Sequence, residues 1–133
     1  MIRVFLDANI LFSAAYREKN GFIMLWEIEG VQLVTSPYAF EEVHRNITRK
    51  RPEALERLLQ LTERVEVCHL LHPLKEVTGL PAKDIPILES ASACGCQVLL
   101  TGDVTHFGHL MDTTPDGVEV MTTSVFLKRY TAI

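Results

Sequence analysis

The chain contains no apolar run near the ~18 residues that a membrane span needs. No signal peptide is expected either: "MIRVFLDAN" places Asp7 where an unbroken apolar stretch would be required. The expectation is a cytoplasmic protein with no membrane partner. Positive charge is not in excess. Thirteen Lys and Arg face 17 Asp and Glu, for a net charge of −4. No overall field draws nucleic acid to such a chain, so any site of that kind must be local. Cysteine is scarce. Cys68, Cys94 and Cys96 form no even framework, and "CGC" is not the C-x-x-C of redox or zinc motifs. A zinc site can be sketched from Cys68, His69 and His72, but buried thiols in a reducing compartment are the favoured reading. Repeats, low-complexity tracts and linkers are also missing. What remains is an ordinary globular composition, 47% apolar and 23% charged over 133 residues. One domain spanning 1–133 is expected, long enough to bury most of its apolar surface.

Local patterns divide the chain into alternating elements. "IRVFL" is a short apolar run ending at an acid, a buried strand. "GFIMLWEIEG" has helix length between two glycines, with Ile23, Trp26 and Met24 as its apolar side. "VQLVTS" is a second strand. Ser36 and Pro37 then suit the N-cap and first position of a helix through "YAFEEVHRNITRK". "PEALERLLQLTERV" carries Leu55, Leu58, Leu59 and Thr62 at i, i+3, i+4 and i+7, the helical stripe. "EVCHLL" reads as a third strand and "HPLKEVTGLPAK" as a loop. "DIPILESASACG" is a helix, "QVLLTGD" a strand ending at a second acid, "VEVMT" a late strand, and "TSVFLKRY" a capped terminal helix. Strands alternating with helices predict an α/β fold: a central, mainly parallel sheet covered on both faces.

In such folds the ligand site lies beyond the carboxyl ends of the strands. Asp7 ends the first strand and Asp103 ends the "QVLLTG" strand, so both project from one edge. Glu42, nearly two turns into the helix after "VQLVTS", can reach that edge. So can Asp84, at the start of the helix leading into the Asp103 strand. Clustered carboxylates repel unless a cation neutralises them. Oxygen ligands suit Mg2+ or Mn2+, and such ions act on phosphate esters. Glu41 competes with Glu42. The two point about 100° apart on one helix, so only one can face the site, and Glu42 is favoured.

"VFLDANILFSA", "TSPYAFEEV", "KDIPILESA" and "LLTGDVTHFG" resemble, in order and at fitting spacing, the four motif blocks of the PIN domain family. The resemblance covers nearly the whole chain. It implies a three-layer α/β/α sandwich and a metal-dependent ribonuclease, of the kind that includes toxins of toxin–antitoxin pairs. Carried over by position, Asp7, Glu42, Asp84 and Asp103 match the acids that hold Mg2+ or Mn2+. Asn9 matches a polar position that orients the site, and Thr101 a common Ser or Thr of the last block. His106 stands where many members have another aspartate. It reads equally as a phosphate donor or outer-sphere base and as a loop residue.

The one basic cluster, Arg45, Arg49, Lys50 and Arg51 in "RNITRKR", begins on the Glu42 helix. Positive charge beside an acidic site is what an RNA backbone needs; a solvated helix end is the plainer alternative. Asp112 and Asp116 read as turn acids. The leading expectation is therefore an endoribonuclease acting on single-stranded RNA, with a cognate antitoxin and a homodimeric state as the partners implied by the resemblance. A non-catalytic binding module of the same fold is the first alternative. An aspartate-based phosphatase is the weaker one, because such enzymes carry a second Asp where Asn9 stands.

Overall fold

The computed structural model describes residues 1–131. Five strands, β1 (Ile2–Leu6), β2 (Val31–Thr35), β3 (Glu66–Val67), β4 (Val98–Leu100) and β5 (Glu119–Met121), form one sheet in the order β3-β2-β1-β4-β5, and every pairing is parallel. The helices α1 (Ala8–Tyr16), α2 (Pro37–Lys50), α3 (Leu55–Thr62), α4 (Ile85–Ala93), α5 (Val104–Phe107) and α6 (Thr123–Thr131) flank it. This is the α/β sandwich that the alternating pattern predicts. The central strand β1 and its neighbour β4 are buried through Val4, Phe5, Leu6, Val98, Leu99 and Leu100, which is why each ends in an unbroken apolar run, while Arg3 at the half-buried start of β1 pairs with Glu66.

The order of the strands sets the position of any site. From β1 the chain moves outward to β2 and β3, then crosses back to β4 on the other side of β1. The reversal lies between β1 and β4, the switch point at which parallel sheets open a crevice. Leu6 and Leu100 are register partners. The residues that follow them, Asp7 and Thr101, therefore emerge side by side at the carboxyl edge.

Local chemistry explains most boundaries. Ser36 caps α2, its hydroxyl accepting from the Ala39 amide at 3.1 Å, with Pro37 as the first helical residue. Asp7 caps α1, accepting from the Ala8 amide at 2.7 Å.

Four expectations need correction. Gly21–Glu27 is a 3₁₀ segment, not an α-helix, and it buries Leu25 and Trp26 while Met24 is 46% exposed. Asn20 caps it, and the Trp26 indole donates to the Leu61 carbonyl at 2.9 Å, which fixes its exit toward β2. In α3, which begins at Leu55 after a 3₁₀ turn at Pro52–Ala54, only Leu58 is fully buried and Leu59 is 46% exposed, so the buried stripe is narrower than the spacing predicts. The strand expected over "EVCHLL" ends at Val67. Cys68 turns away to form a disulfide with Cys94 at the end of α4, and Leu70 and Leu71 lie exposed in the loop. Cys68 and Cys94 are thus not the free thiols expected; Cys96 alone is free, and it is buried. Burial pushes the Cys96 thiol up to about 12.

Candidate metal centre

Asp7 is only 6% exposed, and both of its carboxylate oxygens are committed. Oδ1 accepts from the Ala8 amide, while Oδ2 accepts from the Thr101 hydroxyl at 2.8 Å and from the Asn9 amide at 3.2 Å. Thr101, fully buried at the end of β4, also accepts from the Asp103 amide at 3.1 Å. Asn9 closes the frame by accepting from the Gly102 amide at 2.9 Å. The edges of β1 and β4 are thus stitched together by side chains of the two motif blocks that the sequence places there.

This frame sets the electrostatics. Burial pushes the Asp7 carboxyl up to about 6. Hydrogen bonds from Thr101 and Ala8 pull it back, and the charges of Glu42 and Asp84 push it up again. A buried acid with other acids around it is a position that a cation relieves.

Asp84 stands at the N-cap position of α4 but makes no capping bond. Its carboxylate turns to α5, where Oδ2 lies 2.7 Å from His106 Nδ1. The same nitrogen is 3.0 Å from Asp103 Oδ2. Asp103 caps α5, its Oδ1 accepting from the His106 amide at 3.0 Å. One oxygen from each aspartate and the imidazole nitrogen all lie within 4.8 Å of one another, the spread of a metal's ligands. Asp84 Oδ2 and His106 Nδ1 are buried atoms without a directed hydrogen bond, despite their closeness. Two orphaned donor atoms facing each other in an oxygen-rich pocket fit a divalent cation.

Glu42 is an exposed residue of α2. With Ala8, Asn9, Phe12, Asn46 and Lys50 it lines a recess of about 200 Å³ beside Asp7. Glu41 does not line this recess. The structure therefore brings Asp84, Asp103 and His106 together directly, joins Asp7 to them through Thr101, and leaves Glu42 at the rim.

The basic cluster splits. Lys50 shares the recess of Glu42 and lies 5.5 Å over the Phe12 ring. Arg51 turns the other way, onto the Tyr16 ring at 4.7 Å and Glu53 at 3.1 Å. Arg45 and Arg49 are exposed. Asp112 and Asp116 adopt left-handed backbone, as turn acids do.

Sequence reasoning missed Tyr38. It is 42% exposed, donates to the Lys83 carbonyl at 2.7 Å, and ties α2 to the residue before Asp84. Its phenol is raised by burial and by the charges of Glu42 and Asp84. The only signal was an aromatic in the first turn of the helix that carries Glu42.

The fold recurs in solved structures. A chain of VapBC2 from Rickettsia felis, bound to a DNA fragment from its promoter, aligns with a TM-score of 0.65 at 13% identity, covering 91% of this chain and 98% of that one. DNA-bound VapBC from Salmonella typhimurium gives 0.60 at 15% identity over 92% and 98%. VapC20 of Mycobacterium tuberculosis, described as a toxin that cleaves the sarcin–ricin loop, gives 0.57 at 14% identity over 80% and 94%. No curated protein matches the chain by sequence. The family model of the PIN domain matches residues 3–105, from β1 through the acids of β4 and α5; the chain belongs to the PIN domain family.

Proposed function

We propose that residues 1–133 are a single nuclease domain, an endoribonuclease that hydrolyses phosphodiesters of single-stranded RNA with Mg2+ or Mn2+, as the toxin of a toxin–antitoxin pair. The observation that carries this reading is the convergence of Asp7, Asp84 and Asp103 at the β1/β4 switch point, with Glu42 at the rim. Asp7, Asp84, Asp103 and Glu42 would hold the ion, which supplies Lewis-acid activation of water and neutralises phosphate charge. The chain's own groups prepare that site. Thr101 and Ala8 hold the Asp7 carboxylate in one orientation. Asn9 spends its amide on Asp7 and Gly102, which leaves it no acid–base role and speaks against phosphoenzyme chemistry. Lys50 offers positive charge to the RNA backbone, and the exposed Tyr38 ring offers a base a stacking surface. The VapBC likenesses support an antitoxin partner and a homodimer.

The test uses the purified full chain, end-labelled single-stranded RNA and added Mn2+. Cleavage that stops with EDTA, and in Asp7→Asn, is the expected result. Cleavage indifferent to both assigns the activity elsewhere. Mn2+ binding without cleavage of any RNA supplied makes the chain a binding module.

A further inference from the structure

On the metal-site reading above, we propose that His106 is itself a metal ligand through Nδ1, making this a mixed nitrogen–oxygen centre that selects Mn2+ and later first-row metals over Mg2+.

The competing description is an imidazolium held between two aspartates. Such a pair places the Nδ1 proton on a line to a carboxylate oxygen, giving a short, aligned, charge-assisted hydrogen bond. Here Nδ1 has two oxygens close by, at 2.7 and 3.0 Å, and is aligned with neither. Cis ligands of one ion stand in that relation. In octahedral geometry with bonds of about 2.1 Å, adjacent donors are about 3 Å apart. The nitrogen lone pair then points at the ion, and the neighbouring oxygen sits about 45° off that line. Close approach without alignment follows.

The three donor atoms have no other task. The Asp103 oxygen that caps α5 is Oδ1, so Oδ2 remains over. Asp84 leaves the α4 cap unmade and turns its carboxylate to the imidazole. The His106 backbone is fixed by its own bond to Asp103, which holds the two residues on one turn of α5. A carboxylate-only site suits Mg2+, whereas an imidazole nitrogen shifts preference toward softer first-row ions. The nitrogen donor thus distinguishes this centre from one built of acids alone.

Pulsed EPR of the Mn2+-loaded full chain reads this directly, because a coordinated imidazole nitrogen modulates the echo. The expected result is nitrogen modulation in wild type and in His109→Gln, and its loss in His106→Gln and His106→Asp while Mn2+ stays bound. By calorimetry, the Mn2+ over Mg2+ preference should fall about tenfold or more in His106→Asp, a variant that supplies an oxygen in place of the nitrogen. Bound Mn2+ without nitrogen modulation, or modulation that survives in both His106 variants, overturns His106 ligation and leaves the carboxylate site standing. Wild type that binds no Mn2+ overturns both readings.

Discussion

The Thr101 hydroxyl donates to Asp7 Oδ2 at 2.8 Å and accepts from the Asp103 amide at 3.1 Å, so one buried oxygen couples the acids at the ends of β1 and β4. That hydrogen bond holds the Asp7 carboxyl lower than burial alone would. Thr101→Val keeps the shape and removes the bond. The Asp7 carboxyl of the metal-free protein then rises above its present value of about 6, so protons compete with Mn2+ up to higher pH and the acid limb of Mn2+ binding and of RNA cleavage moves with it. Thr101→Ser restores the donor and the wild-type profile. Carbon NMR titration of the Asp7 carboxyl checks the shift without reference to activity.

Asp7 also makes the metal-free protein pH-sensitive. Its carboxyl rises from 3.8 to about 6 on folding, and burial is the main cause. At 1.36 kcal/mol per pH unit this is a cost of about 3 kcal/mol to the ionised fold. The sign follows from linkage: the folded state binds the proton more tightly, so stability is full below pH 3.8 and is lost as pH rises through about 6. Asp7→Asn carries no such cost. In EDTA at pH 7.5 the variant should be more stable than wild type by about 1–3 kcal/mol in urea denaturation. The difference should vanish below pH 4. Added Mn2+ reverses the order by stabilising the wild type alone. Equal stability at pH 7.5 without metal would show that burial does not destabilise the Asp7 carboxylate.

Glu42 and Glu41 are adjacent on α2, yet Glu42 alone borders the recess beside Asn9 and adds its charge to Asp7. Glu42→Gln should lower RNA cleavage by about 10- to 100-fold. Glu41→Gln should leave it within about twofold, as surface substitutions generally do. A reversed ranking in single-turnover rates would assign the ligand to Glu41.

Much of this is legible in the sequence, for physical reasons. The buried parts of parallel strands must be largely apolar, so Val4, Phe5 and Leu6 of β1, Leu33 and Val34 of β2, and Val98–Leu100 of β4 are legible as strands. The carboxyl ends of such strands are where polar groups can emerge, so Asp7 and Asp103 stood out as breaks in those runs. Other features depend on distant residues. The triad of Asp84, Asp103 and His106 exists because the loop after Cys68 delivers Asp84 to α5, and no local pattern encodes that path. His106 consequently read equally as loop or site. The 3₁₀ form of Gly21–Glu27 is set by Trp26 reaching Leu61, 35 positions away. Odd cysteine number concealed the disulfide, because the leftover thiol, Cys96, lies two residues from a bonded one.

The basic cluster should divide by function as it divides in space. Lys50 faces the recess of Glu42, whereas Arg51 is occupied by Tyr16 and Glu53. Lys50→Ala should weaken RNA binding and reduce the slope of log affinity against log salt by ~0.7, one phosphate contact on a single strand. Arg51→Ala should leave that slope unchanged. Binding isotherms at several salt concentrations, with Asp7→Asn as background to prevent cleavage, separate the two.

The Cys68–Cys94 bond closes a loop of 26 residues that contains the whole segment from β3 to α4, including Asp84. In the chain-entropy account, a closure of that length stabilises by about 3–4 kcal/mol, because it restricts the unfolded chain. Cys68→Ser with Cys94→Ser should cost that amount in denaturant unfolding, and dithiothreitol should reproduce the loss in wild type. Cys96 should not interfere. It is buried, and its thiol is pushed up to about 12, so it stays protonated and inert until the chain unfolds. Thiol titration should accordingly find one reactive group in the unfolded, non-reduced protein and three after reduction. Three without reductant would show that Cys68 and Cys94 remain thiols in the protein as purified. The loop carrying Asp84 would then be held only by its hydrogen bonds and packing. The Mn2+ affinity of the doubly substituted chain measures how much of the site's order the bond supplies.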